Sequence, residues 1–235
     1  MTDADDSVCW QEDWGDSFRE FEPRIDLTSY LHRKQLAFRR DPSPIRVLHG
    51  TRRSGKSEVL CIEAIEVADQ FPGETVAYVT PTISKGADIV FPKFEELSRK
   101  FNIGLRISRG DYKVRTPGGG IVQMYGLATE PEVEKGRGPR FPLVIFDEGG
   151  AHRQDLLPRA VRDTFGPATA DFRGLGGRGT VLAGTAGYEP DCYFEKMVGG
   201  NSHVSKLGAS VHFMSIWDNP LFKGREQMVI DAHLR

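Results

Sequence analysis

The sequence predicts an α/β fold of three layers, with helices packed on both faces of a mainly parallel sheet. Three observations predict it. A phosphate-loop pattern, Gly50-Thr51-Arg52-Arg53-Ser54-Gly55-Lys56-Ser57, stands between an apolar run at 45–48 and a helix-like segment at 58–71. Short apolar runs alternate with helical stretches along the chain, the pattern of parallel strands covered on both faces. Four apolar residues, Leu143-Val144-Ile145-Phe146, lead straight into Asp147-Glu148. A buried strand of such a sheet delivers groups in this way to the crevice where ligands bind.

The elements follow in order. Residues 1–24 form an acidic N-terminal tail, with Trp10, Trp14 and Phe18 available to dock on the domain. Leu27-Thr28-Ser29 opens a helix of about a dozen residues, with Thr28 or Ser29 as N-cap. It ends before the turn Asp41-Pro42-Ser43-Pro44, and the strand at 45–48, the phosphate loop and its helix come next, stopped by Pro72-Gly73. Residues 75–80 are the second parallel strand, and 84–101 a helix that Pro92 kinks or restarts. Segments 105–108, 112–116 and 120–125 alternate around turns and read as an antiparallel hairpin or meander inserted in the framework. A charged, glycine-rich loop at 127–142 leads to the strand 143–146, and 154–165 looks helical. A glycine-rich loop at 174–179 precedes a fourth parallel strand at 180–185, and 211–216 is a fifth. Trp217-Asp218-Asn219-Pro220 then breaks the chain before a last, charged helix.

Composition narrows the function classes. With 235 residues, 39% of them hydrophobic and 27% charged, the chain suits one large α/β domain. No apolar run approaches the ~18 residues of a membrane span, and the acidic start is unlike a signal peptide. Three scattered cysteines (Cys9, Cys61, Cys192) without a C-x-x-C pair fit a reduced, cytoplasmic protein. Cys192 with His203 or His212 lacks zinc-ligand spacing. The near-zero net charge hides an asymmetry: six of the 33 acids lie in residues 1–17, which hold no Lys or Arg. Two stretches, 28–56 and 99–115, carry eight and six basic residues against one acid each. They are solvated faces or a surface for a polyanion.

The motifs carry the chemistry. The loop glycines let successive backbone N–H groups turn inward onto a β-phosphate, reinforced by the N-terminus of the following helix. Lys56 then reaches the β- and γ-phosphates, and the Ser57 hydroxyl ligates Mg²⁺. Asp147 completes the metal's surroundings, while Glu148, one residue on, is placed to take a proton from the water that attacks the γ-phosphate. Thr185, ending Ala183-Gly184-Thr185, either senses the γ-phosphate or caps a strand. Positive charge for the transition state would come from Arg52 inside the loop or from Arg137 in Lys135-Gly136-Arg137-Gly138.

Together these residues resemble the ATPase domain of the large terminase subunit of tailed bacteriophages. The resemblance rests on Gln35, the arginine-bearing loop from Gly50 to Ser57, Thr80-Pro81, Gly136-Arg137-Gly138, Asp147-Glu148, Gly184-Thr185 and Asp218-Asn219-Pro220, and it spans most of the chain. It implies a P-loop ATPase of the additional-strand (ASCE) type that binds ATP and Mg²⁺. Such domains work as a homomeric ring on a procapsid, with portal protein and small terminase subunit as partners, and drive double-stranded DNA inward. The setting implied is the bacterial host cytoplasm, transiently at the portal. By matching positions, Gln35 is similar to the adenine-reading glutamine, Arg52 to the arginine acting in cis, Arg137 to a finger supplied in trans, and Thr185 to the end of the coupling motif.

Two departures stand out. Gly149-Gly150 follows Asp147-Glu148 where the family more often has small helix formers, and Lys135 precedes Gly136, so the finger is Lys135, Arg137 or Arg140. With no later cluster of metal-binding acids, the expectation is a P-loop ATPase domain over 25–235 without the nuclease domain and its activity. Two other readings remain at this stage. One is a helicase-like nucleic-acid-dependent ATPase, suggested by Asp147-Glu148 and His152. The other is a nucleotide-binding module without catalysis, against which an intact Glu148 argues.

Overall fold

The computed structural model describes residues 25–185, 191–199 and 207–225. The acidic tail, with Trp10, Trp14 and Phe18, and most of the last charged helix lie outside them. In chain order the helices are α1 (Arg33–Arg40), α2 (Lys56–Gln70), α3 (Ile83–Phe101), α4 (Glu130–Glu134), α5 (Leu157–Arg159) and α6 (Tyr193–Val198). The strands are β1 (Ile45–Gly50), β2 (Thr75–Thr80), β3 (Arg106–Ser108), β4 (Lys113–Arg115), β5 (Ile121–Gly126), β6 (Leu143–Phe146), β7 (Gly179–Gly184) and β8 (Ala209–Met214). They form one sheet in the order β3-β4-β5-β2-β6-β7-β1-β8.

Alternation along the central strands builds two cores. Leu48, Tyr78, Ile145 and Val181 point to one face, under α2 and α3. Their neighbours Val47, Val79, Phe146 and Leu182 point to the other, with Phe141, Phe165 and Phe194. A sheet buried on both faces is the expected three-layer arrangement. β7 lies between the phosphate-loop strand β1 and the carboxylate-bearing strand β6, parallel to both. That interposed strand is the additional-strand topology.

Several elements depart from expectation. The first helix is a 3₁₀ turn, Thr28–Tyr30, followed by α1 with His32 as N-cap. Leu27 and Leu31 are buried, and Leu31 is extended between the two pieces, so core burial overrides the Thr/Ser cap signal. α2 starts at Lys56 rather than residue 58, because the left-handed Gly55 (φ 91°) lets the helix begin directly from the loop. α3 runs through Pro92 without restarting.

The expected antiparallel meander is present, and it continues the main sheet rather than standing apart from it. β3 and β5 each run antiparallel to β4, and β5 pairs in parallel with β2 as a sixth parallel strand. The loop 127–142 contains α4, closed by a Thr129–Glu132 capping box. Residues 154–165 give only α5 and a wide π turn, Ala160–Thr164. The last strand ends at Met214, not 216. Its register with β1 pairs Met214 with Gly50, and residues 215–219 turn away to brace the loop.

Candidate active site

The phosphate loop begins where β1 ends. A Cβ on Gly50 would stand 2.7 Å from the Met214 carbonyl oxygen and 2.9 Å from Ser54 Oγ, so the chain passes there only as glycine. Arg53 (φ 62°) and Gly55 are both left-handed, which curls the loop back over the start of α2. Lys56, the first residue of α2, is buried. Its Nζ donates to the carbonyls of Gly50 and Thr51, each at 2.8 Å, and to Thr185 Oγ1 at 3.1 Å. Burial lowers its pKa, while the carboxylates of Glu148 and Asp147 act in the opposite direction. Thr51, Arg52 and Arg53 are exposed on the rim.

A brace holds this loop from outside. Thr51 N–H donates to the Met214 carbonyl (3.1 Å), Ile216 N–H to Thr51 Oγ1 (2.8 Å), and Asn219 Nδ2 to the Arg53 carbonyl (2.9 Å). Asp218 accepts from Ser215 N–H and from Lys34 Nζ, tying the same turn to α1. Gln35 is buried behind the loop. Its Nε2 donates to the Gly55 carbonyl (3.0 Å) and its Oε1 accepts from His32 N–H (3.0 Å), so both ends of the amide are engaged with backbone.

β6, buried throughout, delivers Asp147 and Glu148 beside Lys56. Asp147 Oδ2 accepts from Tyr78 Oη (2.8 Å) and Oδ1 from Glu148 N–H (2.9 Å). His152 Nε2 lies 2.9 Å from the Asp147 carbonyl, which makes Nε2 the protonated nitrogen of the neutral ring. Burial raises the Asp147 carboxyl, opposed by these hydrogen bonds and by Lys56. Glu148 sits at φ 56°, ψ 46°, a left-handed conformation rare outside glycine and of the kind that clusters at functional sites. Burial first and the Asp147 charge second raise its pKa, while Lys56 and Arg52 lower it. No α-helix starts after Glu148: Gly149–Ala151 is a 3₁₀ turn.

Ser57, Asp147 and Glu148 line one cavity of about 470 Å³, together with Thr80, Thr82 and Lys85. A curled loop that only glycines can trace, a lysine at its mouth, and a hydroxyl and a carboxylate on one cavity suit a nucleotide phosphate chain with its Mg²⁺. Among the described residues no three His, Cys, Asp or Glu side chains form a cage for a metal on their own.

Lys56, Ser57, Asp147, Glu148 and Thr185 thus meet at the carboxyl ends of β1, β6 and β7, with Arg52 near enough to act on Lys56 and Glu148. The three finger candidates stand apart from them. Arg137 is exposed and pairs with Glu134 Oε2 (2.7 Å), Arg140 pairs with Glu74 Oε1 (2.8 Å), and Lys135 caps α4. Sequence reasoning missed Tyr78 and the role of His152. A tyrosine amid the apolar centre of β2 was the one signal available for the first.

No protein-family model matches this chain, and no curated protein matches it. Solved structures do. The large terminase of the thermophilic bacteriophage D6E matches at TM-score 0.61 and 15% identity, over 83% of this chain and 49% of that one. The same terminase is known in complex with ADP and with ATP-gamma-S. The large terminase ATPase domain of Thermus phage P74-26 matches at TM-score 0.56 and 20% identity, over 87% and 88% of the two chains. The N-terminal domain of the DNA packaging ATPase from bacteriophage phi29 matches at TM-score 0.50 and 15% identity, over 73% and 90%. This chain therefore spans about half the length of the D6E terminase, and its fold is that of these ATPase domains.

Proposed function

We propose that the chain is the ATPase domain of a phage DNA-packaging terminase. The observation that carries this is the meeting of Lys56, Ser57, Asp147, Glu148 and Thr185 at three adjacent strand ends, on a fold shared with terminase ATPase domains. ATP is the substrate. Its phosphates would lie on the loop N–H groups, with Lys56 exchanging its carbonyl partners for phosphate oxygens. Mg²⁺, held by Ser57 and Asp147, would neutralise charge on the β- and γ-phosphates. Glu148, raised above the usual carboxylate range, takes the proton of the attacking water as its oxygen bonds phosphorus and the bond to ADP breaks. Thr185, hydrogen-bonded to Lys56, links this event to β7.

Double-stranded DNA is the proposed cargo. The edge strands support a polyanion partner: Arg106 stands directly opposite Arg115 across the β3–β4 pair, both exposed, a juxtaposition that costs stability unless anions compensate it. Assembly as a ring with portal protein and small terminase subunit, in the host cytoplasm and then at the procapsid portal, belongs to the same reading. So does a finger acting in trans, and Arg137 suits it by lying exposed on a glycine-flanked loop that leads into β6. An arginine in trans is worth roughly 10³ to 10⁵ in rate. Turnover is therefore expected to rise more than linearly with protein concentration, and Arg137→Ala to flatten that rise without weakening nucleotide binding. A mixture of Arg137→Ala with Glu148→Ala should regain turnover above either parent. A mixture as inactive as its parents, under conditions where wild type is assembled and active, would remove Arg137 from this role.

A further inference from the structure

We infer that Phe194 is a positioning residue for hydrolysis, a ring wedged among the three strand ends that carry the site. It rests on the reading of that site as an ATPase. Phe194 belongs to α6, reached a few residues after Thr185, and is fully buried. A buried phenylalanine is ordinarily plain core. What it touches sets this one apart. Its ring stacks on His49, the residue before Gly50 (centroids 6.1 Å apart, planes 16° from parallel). It covers Gly149, the residue after Glu148, and Gly184, the residue before Thr185.

The two glycines show how closely the ring fits. A Cβ on Gly149 would come within 2.6 Å of the ring's Cδ2, and a Cβ on Gly184 within 2.8 Å of Cε1 and 2.9 Å of Cζ. Neither glycine has a positive φ, so backbone conformation does not demand glycine at either position. The ring does. The two backbones also meet under it, since the Gly184 Cβ position lies 3.2 Å from Gly149 N. α6 is fixed in turn from the Glu148 side: Tyr193 N–H donates to Gln154 Oε1 at 2.7 Å.

One ring therefore sets the mutual spacing of the loop, the base and the Thr185 hydroxyl. Any displacement of α6 would pass to Gly149 and Gly184 through close contacts, and to His49 through the stacked rings. Misplacement of reacting groups by a fraction of an ångström lowers turnover far more than binding.

The test is steady-state hydrolysis, nucleotide titration and thermal melting on the wild-type chain and four variants. Phe194→Leu shortens the ring, Phe194→Met keeps its bulk without its shape, Gly184→Ala inserts the methyl, and Gly184→Ala/Phe194→Leu gives that methyl room. Phe194→Leu and Phe194→Met are expected to lower kcat about tenfold or more while nucleotide Kd stays within about threefold. Gly184→Ala should lower kcat likewise, and the double variant should recover part of it. If Phe194→Leu does not fold, Phe194→Met and Gly184→Ala decide. Folded variants with kcat within about twofold of wild type, or with kcat and nucleotide affinity falling together, would overturn the proposal alone. A wild-type chain that binds nucleotide without turnover at concentrations where it is assembled would overturn the ATPase reading and the wedge with it.

Discussion

At the scale of single residues, the carboxylate pair is held by groups that never face the cavity. Tyr78 fixes one oxygen of Asp147, and His152 fixes its carbonyl just before the left-handed Glu148. The His152 ring is buried and its pKa falls from 6.5 to about 4, because burial disfavours the charged form. The consequence for stability has a definite sign. The unfolded chain takes up this proton first, so the contribution is complete above pH 6.5 and lost as pH falls toward 4, by roughly 3 kcal/mol at most. His152→Gln keeps a donor for the carbonyl and removes the titration. Urea unfolding of both proteins from pH 7 to 4 should therefore give a steeper decline for wild type. Identical slopes would show that His152 is not neutral by burial.

At the scale of elements, β1 and α2 are fastened at both ends. Lys56 holds the loop end. At the other end Arg46 of β1, fully buried, bonds Glu63 of α2 at 2.7 Å, and Arg178 joins the same oxygen at 3.1 Å. Burial alone would raise the Glu63 carboxyl, but these arginines hold it below the usual range. Removing one member of a buried pair strands the other, which typically costs about 3–5 kcal/mol. Glu63→Ala should therefore lower unfolding free energy by about that amount in denaturant titration, and a loss below ~1 kcal/mol would mean that Arg46 finds other partners. Element by element, what the sequence revealed follows from how local each signal is. The phosphate loop and the run into Asp147-Glu148 were legible because backbone curl, helix start and buried strand are written into adjacent residues. β5 was not, because a six-residue strand after a glycine turn carries nothing that says whether its partner runs parallel. α1 was misread at its start because His32 rather than a Thr or Ser caps it. The contacts of Tyr78 with Asp147, Gln35 with Gly55 and Phe194 with Gly149 join residues 20 or more apart in the chain, which no local pattern encodes.

For the whole molecule, the sheet order gives each part of the account its place. The site lies at the carboxyl ends of β1, β7 and β6, the central parallel strands, while the cationic β3–β4 pair forms the far edge. Between them lie β2, buried along nearly its whole length, and β5, buried at alternate residues. In the proposed function this site binds ATP through Lys56 and hydrolyses it through Glu148. Nucleotide titration and phosphate release, measured side by side on Lys56→Ala and Glu148→Ala, test it most directly. Lys56→Ala should lose nucleotide affinity, since a charge-assisted contact to the phosphates is gone. Glu148→Ala should bind within about threefold of wild type and release phosphate at least ~100-fold more slowly. Turnover at the wild-type rate in Glu148→Ala would contradict the account.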